Sequence, residues 1–235
     1  MLDGIAERLD AVKRPIDELL DLGCFAGRFG PRPGMRIARA DAGFAFARAA
    51  MGVQADEDRL PFADASFDAV VSAGVLDQVD DLPGALVLIR RVLRPDGVFF
   101  GTFLGAGSLP TLRACLLEAE ADRPAARLHP QVDVRAAGDL LSRAGFALPV
   151  ADVETLTVRY RGFERLLEDL RGMAGTSLLT ARAPLGRDAL ARASAAFASR
   201  ADADGRTSEQ FRIVYLTGWS ALPAGSAGEA FGLRG

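Results

Sequence analysis

An apolar run that ends in an acid and a glycine-spaced turn is the stretch of this sequence best suited to chemistry. Residues 16–22 read Ile-Asp-Glu-Leu-Leu-Asp-Leu, and Gly23 and Gly27 follow. This pattern is typical of a buried parallel strand whose carboxyl end lies next to a ligand. The glycines permit a positive φ or a close approach of the backbone to the ligand. The pattern predicts a site for a nucleotide-like ligand at Asp21, Gly23 and Gly27.

Three further apolar runs end in residues that can line a ligand site. Asp41 follows the second run, Asp56 and Glu57 follow the third, and Ala73 ends the fourth. Because the carboxyl ends of parallel strands meet at one edge of a sheet, we expect these residues to share one cleft with Asp21. This convergence is stronger evidence for a ligand site than any single motif.

A cleft of this kind requires a parallel sheet whose strands are connected by helices, so both patterns are expected along the sequence. Apolar residues recur at helical spacing in 2–12 and 82–93, whereas 67–73 is a β-branched run typical of a buried strand. Strands that alternate with helices predict an α/β fold with a doubly wound parallel sheet. Only 28–34, with two prolines, separates Gly27 from the second strand, which leaves room for about one helical turn.

The second half of the chain continues this alternation. Ser108 is predicted to cap a helix, and Gly145 is predicted to terminate another. The segment 172–184 is predicted to be a loop or lid. We expect a single domain over 1–220, followed by a flexible tail at 221–235.

Composition argues against several classes of function. The 235 residues carry a net charge of −3, which disfavours nucleic acid as a main partner. No apolar run reaches the length of a membrane span, and the acidic first residues lack a signal core, so we expect a bacterial cytoplasmic protein. Cys24 and Cys115 form no metal-binding spacing, and no metal is expected.

Several later segments carry motifs of a known family. The matching segments are 55–62, 66–72, 80–86, 93–99, 138–146 and 210–219. They resemble the class I S-adenosylmethionine (SAM) methyltransferases. The branch is that of the mitochondrial complex I assembly factor described as an arginine hydroxylase, with its bacterial relatives, and more distantly the malonyl-carrier-protein O-methyltransferase. The most discriminating match is 160–163 with 167–173, which generic methyltransferases lack.

The resemblance implies a fold and a cofactor. The fold is a seven-stranded sheet in which six strands are parallel and the last runs antiparallel between the fifth and the sixth. The cofactor is SAM, whose ribose hydroxyls would donate hydrogen bonds to Asp41. Asp56, with neighbouring backbone amides, would hold the adenine, and Asp21 would orient the ammonium end. Glu57 would belong to the same cofactor site. Gly23, Gly27 and Ala73 would line the same pocket.

One departure from the family pattern concerns the methionine end of SAM. Relatives usually carry a third glycine between Gly23 and Gly27, and here that position is Phe25. A ring there is expected either to fill part of the amino-acid site or to turn inward and pack in the core. With the short segment 28–34, it predicts weak SAM binding.

Candidates for a catalytic side chain are few, because methyl transfer depends mainly on in-line placement of the reactants. Asp77 stands where relatives often have a histidine, and it is a candidate general base or metal ligand, or a solvated acid at the start of a helix. His129, the only histidine, is a candidate or a structural residue. Tyr160 would line the pocket mouth or lie buried at a helix–strand junction.

Three functions fit this sequence, and the fold does not decide among them. The first is a complex I assembly factor that modifies a protein substrate, by arginine hydroxylation, with an iron–sulfur subunit of complex I as partner. The second is a conventional SAM-dependent methyltransferase that acts on a small or carrier-bound acid. The third is a non-catalytic binding module with a degenerate cofactor pocket, which Phe25 favours.

Overall fold

The computed structural model describes residues 1–122, 125–173, 175 and 184–221. Helices and strands both occur throughout these ranges. The helices are α1 (Leu2–Asp10), α2 (Phe44–Ala49), α3 (Leu82–Val92), α4 (Pro110–Ala119), α5 (Val134–Arg143), α6 (Phe163–Gly172) and α7 (Arg187–Ala198). The strands are β1 (Glu18–Leu22), β2 (Arg36–Asp41), β3 (Val53–Gln54), β4 (Phe67–Ala73), β5 (Leu93–Leu104), β6 (Ala147–Tyr160) and β7 (Thr207–Trp219). In the described ranges, β1 and β2, β3 and β4, α4 and α5, and α6 and α7 follow one another without an element of the other kind between them.

The strands form one sheet in the order β3-β2-β1-β4-β5-β7-β6. The pairings from β3 to β5 are parallel. Along β5 and β7 the numbering runs in opposite directions. The Gly105 amide donates to the Arg212 carbonyl at 2.8 Å, and the Ser220 amide donates to the Gly97 carbonyl at 2.7 Å. The predicted α/β fold, with an antiparallel last strand between the fifth and sixth, is confirmed.

The register of the sheet brings the carboxyl ends of four strands to one edge. Leu22 of β1 lies opposite Ala40 of β2 and Ser72 of β4. Asp41 lies opposite Gln54 at the end of β3. The residues that follow these strands are therefore neighbours, as the sequence predicts.

The chain divides into two compact units. The first contains 1–103, 135–152 and 215–221, and the second contains 104–134 and 153–214. In the first unit, Ile5 and Leu9 lie one helical turn apart on α1 and are buried with apolar side chains of β1, β4 and β5. In the second unit, the apolar faces of α4, α6 and α7 form a separate core. The single domain expected over 1–220 stays a prediction.

Two local signals in the sequence have a different outcome in the structure. The triplet Pro95-Asp96-Gly97 signals a turn, but it lies inside β5. There the register steps from Leu93 opposite Phe67 to Val98 opposite Ala69, so the triplet forms an irregularity within the strand.

Ser108 does not cap α4. The helix begins after Leu109, which has a φ of 59°, and the Ser108 hydroxyl instead contacts the backbone of Arg212. Gly145 follows α5 with a φ of 85°, as expected of a left-handed terminator. Most of the predicted loop or lid at 172–184, and all of the predicted tail except Ala221, lie outside the described residues.

Candidate functional site

The loop after β1 folds back onto the end of β2. The amides of Gly23 and Cys24 donate to the carbonyl of Ala40 at 2.9 and 3.2 Å. Gly23 and Gly27 have φ angles of 69° and 70°, a conformation that strains other residues. A Cβ at Gly23 would also come within 2.4 Å of a methyl group of Val75. The backbone conformation therefore explains both predicted glycines, and packing adds a second requirement at Gly23.

Asp41 ties this loop to the start of α2. Its Oδ2 accepts a hydrogen bond from the Phe25 amide, and its Oδ1 accepts one from the Gly43 amide, both at 2.8 Å. Each carboxylate oxygen has two acceptor positions, so each keeps one. Asp41 thus shapes the loop and can still accept hydrogen bonds from a ligand.

Phe25 adopts the backbone conformation that a glycine would supply at this position. Its φ is 48°, which costs a side-chain-bearing residue roughly 1–2 kcal/mol. The half-buried ring packs edge-to-face on Phe46, with the ring centroids 5.6 Å apart, and Phe46 is itself 43% exposed. The ring therefore lies near the surface against α2, and the alternative of deep core packing does not describe it.

Asp21 is a buried carboxylate with incomplete hydrogen bonding. It is 4% exposed, and its Oδ2 lies 3.8 Å from Nε of Arg39. Neither of these atoms has a hydrogen-bond partner within the described part of the chain. Burial raises the pKa of Asp21 to about 6, the Arg39 guanidinium opposes the rise, and the Asp41 carboxylate adds to it. Such an orphaned buried oxygen is costly to folding and typical of ligand sites.

A further buried acid, Glu57, lies close enough to Asp41 for the two charges to interact. Glu57 is 9% exposed, whereas its neighbour Asp56 is exposed. Burial raises the pKa of Glu57 to about 7, and the charges of Asp41 and Asp56 add to the effect. Burial also raises the pKa of Asp41, although its two backbone donors oppose the shift. The three buried carboxylates outnumber the Arg39 guanidinium, so a cation or a hydrogen-bond donor would be stabilised here.

Ala73 completes this edge at the end of β4. It is half-buried, and Gly74 follows with a φ of 79°. Ala73 lies opposite Thr102, whose hydroxyl, like that of Ser72, is buried without a hydrogen-bond partner in the described ranges. The structure thus brings together the strand-end residues that the sequence predicts, except that Asp56 faces solvent.

Asp77 lies in a short 3₁₀ turn, Leu76–Gln78, that follows β4. Its Oδ1 is buried and has no partner among the residues described, and burial raises the pKa of Asp77 to about 6. Val75, two residues earlier, packs over Gly23, so this segment flanks the glycine loop. These features retain Asp77 as a candidate for contact with a substrate.

The two other catalytic candidates belong to the second unit. His129 is half-buried and already interacts with another residue. Tyr160 is 4% exposed and packs in the core of that unit with Phe163. Burial, followed by the charge of Asp169, raises the pKa of Tyr160 to about 12, so its phenol stays protonated. Of the two positions considered for Tyr160, the pocket mouth and a buried site, the structure shows the buried one.

Two residues of the cleft were missed by sequence reasoning. Arg39 precedes Asp41 by two positions on β2, and this period-two spacing places both side chains on one face. That signal could have identified Arg39. Val75 gives no such signal, because only the turn after β4 brings it over Gly23. The short segment 28–34 leaves room for about one helical turn, but no helix forms in residues 23–35, all of which the structure describes.

Comparisons with known proteins agree with this fold. The methyltransferase domain family matches residues 20–101. Human mitochondrial arginine-hydroxylase NDUFAF5 is 39% identical over 197 residues, which cover 79% of this chain and 57% of that protein. The malonyl-[acyl-carrier protein] O-methyltransferase of Laribacter hongkongensis is 34% identical over 176 residues, which cover 74% of this chain and 58% of that protein. The crystal structure of YcgJ from Bacillus subtilis superposes with a TM-score of 0.66 at 16% identity, covering 94% of this chain and 98% of that one.

The strand order, the glycine loop and these similarities place the chain in a class. It belongs to the class I SAM-dependent methyltransferase superfamily. Within that superfamily it resembles the branch of the arginine-hydroxylase NDUFAF5 proteins. The chain spans 37–60% of the length of the curated relatives compared with it, and 57% of the human protein.

Two further observations concern membranes and metals. No helix in the described ranges has both the length and the apolar character needed to cross a bilayer. The same ranges hold no group of three or more His, Cys, Asp or Glu residues arranged to bind a metal ion.

Proposed function

We propose that the cleft at the carboxyl ends of β1 to β4 binds SAM and that the chain modifies a protein substrate. The observation that carries the proposal is the buried Oδ2 of Asp21, which has no hydrogen-bond partner in the described part of the chain and lies near the buried carboxylate of Asp41. SAM carries an ammonium group, ribose hydroxyls and a sulfonium cation. These groups match an excess of buried acceptors and negative charge.

The residues of the cleft fit the parts of this cofactor. The free acceptor positions of Asp41 would receive the ribose hydroxyls, and Asp21 would receive the ammonium end. Asp56 and Glu57 would flank the adenine, and the left-handed turns at Gly23 and Gly27 would let the backbone approach the methionine part. When bound, SAM supplies a methyl group activated by its sulfonium centre.

The proposed substrate is a protein, and the proposed role is that of a modifying factor in the assembly of respiratory complex I. Support comes from the 39% identity with a protein named as an arginine hydroxylase and from the distinctive block at 160–173. An iron–sulfur subunit of complex I is the proposed partner, and the bacterial cytoplasm is the proposed compartment.

Two alternatives rest on observations of their own. The similarity to a malonyl-carrier-protein O-methyltransferase supports methyl transfer to a small or carrier-bound acid. The Phe25 side chain, where relatives have glycine, supports a binding module that has lost its cofactor. The acid methyltransferase predicts methylation of an acid, whereas the binding module predicts no binding of SAM.

Calorimetric titration with SAM separates these functions. Saturable binding that Asp41→Asn weakens and that Asp139→Asn, on the exposed face of α5, leaves unchanged supports the proposed site. Absence of binding by both the unmodified chain and Phe25→Gly would overturn it. If SAM binds, mass spectrometry of an arginine-containing substrate protein then distinguishes addition of a methyl group from addition of an oxygen atom.

A further inference from the structure

A pocket of about 410 Å³ lies in the second unit, at the start of α4. Arg113 and Leu117 line it from successive turns of that helix, and Gly107 and Gln131 line it from two loop segments. Its volume falls within the usual range of small-molecule sites, roughly 300–1,000 Å³. The SAM cleft proposed above uses none of these residues.

Two guanidinium groups at this pocket have no acidic partner among the residues that the structure describes. Arg113 is exposed on α4, and Arg212 of β7 is half-buried. Neither side chain forms an ion pair or a hydrogen bond within 1–122, 125–173, 175 and 184–221. The Arg212 guanidinium reaches the pocket wall at Gly107, where its Nη1 would lie 3.2 Å from a Cβ built on that glycine.

Gly107 is required for this arrangement in two ways. Its φ of 89° is a left-handed conformation that favours glycine. A side chain there would also collide with Arg212, since the built Cβ lies 2.9 Å from Cδ of the arginine. The absence of a side chain at Gly107 therefore admits the Arg212 guanidinium to the pocket wall.

Gln131 supplies a fixed polar group to the same wall. Its Oε1 accepts a hydrogen bond from the Gly107 amide at 3.2 Å, and its Nε2 donates to the Ser108 carbonyl at 3.1 Å. The amide group is thus held at both ends, and Nε2 keeps a second hydrogen to donate. Two guanidinium groups and one amide hydrogen are available to an anion.

The charge around the pocket favours a singly charged anion over phosphate. The amides of Thr111 and Leu112, which would attract phosphate at the start of a helix, already donate to Glu209 at 3.2 and 2.7 Å. Glu209 is fully buried at 0% exposure. Its negative charge offsets part of the arginine charge, so a second negative charge on the ligand gains little.

The remaining wall suits a short apolar chain. Leu117 is 55% exposed although it is a large apolar side chain, and Ala114 lies exposed beside it. Residues three and four positions apart share one face of a helix, so Arg113, Ala114 and Leu117 form a continuous strip. A ligand with its acid at Arg113 would place its hydrocarbon on Leu117.

We infer that this pocket binds the carboxylate of an aliphatic acid, with Arg113 and Arg212 pairing to the carboxylate and Leu117 covering the chain. The acid can be free or part of a larger molecule, and the recognised chemistry is the same. The inference is independent of SAM binding in the other unit.

Titration of the full chain with hexanoate, acetate and inorganic phosphate, in the absence of SAM, tests the site by NMR chemical shifts. We expect saturable binding of hexanoate, weaker binding of acetate, and no tighter binding of phosphate. Arg113→Gln and Arg212→Gln should each weaken hexanoate about fivefold, the loss expected for one partly exposed ion pair. Arg187→Gln, an exposed arginine at the start of α7, is the matched control and should bind as the unmodified chain does.

The hydrocarbon contact has its own variant. Leu117→Ser should weaken hexanoate but not acetate, whereas Leu190→Ser on α7 should change neither. The inference is overturned if hexanoate does not saturate, if phosphate binds more tightly than hexanoate, or if Arg113→Gln binds unchanged. Arg113 lies on an exposed helix face, so this variant is expected to fold, which circular dichroism verifies, even if Arg212→Gln does not.

Discussion

The backbone amide of Phe25 donates a hydrogen bond of 2.8 Å to Oδ2 of Asp41, and this contact joins the loop after β1 to the end of β2. The same carboxylate accepts the Gly43 amide through its other oxygen. Asp41 is therefore a structural residue and a ligand candidate at once. Its substitution must be judged by stability and by binding together.

Asp41→Asn is expected to lower the free energy of unfolding by about 1–3 kcal/mol, because one of its two amide donors would face an NH₂ group instead of an oxygen. It is also expected to weaken SAM binding through loss of a charged acceptor. Urea denaturation and calorimetry measure the two effects. Asp139→Asn serves as control, and equal stability of the two variants would show that the Asp41 contacts contribute nothing.

Phe25→Gly is expected to strengthen SAM binding with little change in stability. The substitution removes the strain of the left-handed backbone, which offsets the loss of an edge-to-face contact worth about 0.5–1.5 kcal/mol. Calorimetry and thermal denaturation are the measurements. A destabilisation of several kcal/mol would instead show a ring packed in the core.

Two further variants separate the ring of Phe25 from its backbone. Phe25→Ala removes the ring but keeps a Cβ at positive φ, so it should be less stable than Phe25→Gly. Phe46→Ala removes only the partner ring. If the Phe25 ring obstructs the cofactor, Phe25→Ala and Phe25→Gly should gain SAM affinity together.

Stability is expected to fall as pH rises through the range in which Asp21 and Glu57 ionise. The pKa of Asp21 rises from 3.8 to about 6, and that of Glu57 rises from 4.5 to about 7. The folded state thus holds these protons more tightly than the unfolded state, so their contribution is complete below about pH 4 and is lost as pH rises to 7. Urea denaturation at about pH 4.5 and about pH 7.5 measures the slope.

Asp21→Asn should flatten this dependence by an amount of the order of 2 kcal/mol. Asp139→Asn should retain the slope of the unmodified chain. SAM, as a cationic ligand, should bind more tightly as pH rises through the same range. A slope that is unchanged by Asp21→Asn would show that this carboxyl group is ionised throughout.

Glu209→Gln is expected to destabilise the chain more than Ser108→Ala. The buried Glu209 carboxylate accepts hydrogen bonds from the backbone amides of Thr111, Leu112 and Gln210. The substitution replaces one acceptor with a donor at a cost of about 1–3 kcal/mol. Ser108 is the cap expected from sequence. Its hydroxyl exchanges two neutral hydrogen bonds with the Arg212 backbone, so its loss should cost about 1–2 kcal/mol, less than the loss of a charged acceptor. Denaturant unfolding ranks the two, and the reverse order would assign the cap to Ser108.

Arg171→Glu tests the proposed docking of a partner protein by the distinctive block at 160–173. Arg171 is exposed on α6, so its substitution should leave the melting temperature nearly unchanged. It should reduce association with a complex I iron–sulfur subunit in a binding assay, whereas Arg187→Glu should not. A large drop in melting temperature would indicate a structural role instead.

The sequence by itself determined the order of strands and helices and the edge at which the acids gather. Apolar residues that recur with a period of two indicate strands, and those with a period of 3.6 indicate helices. Both patterns reflect the burial of one face of a single element, so they can be recognised locally in the sequence. The glycine loop and the strand-end residues Asp21, Asp41 and Ala73 follow from that local information. Chain length and two prolines limit 28–34 to about one helical turn, but the absence of even this turn was not predicted from the sequence.

Only the tertiary structure decided which groups meet. The Asp21–Arg39 ion pair, the Phe25–Phe46 ring contact and the capping of α4 by Glu209, 97 residues distant from Leu112 in sequence, join separate elements. Local propensity predicts Ser108 as the cap because Ser108 lies next to the helix in sequence. It cannot predict a carboxylate that β7 brings to the helix from a distant part of the chain. The pKa values of the buried acids depend in the same way on how completely distant residues exclude water, and no local pattern records that.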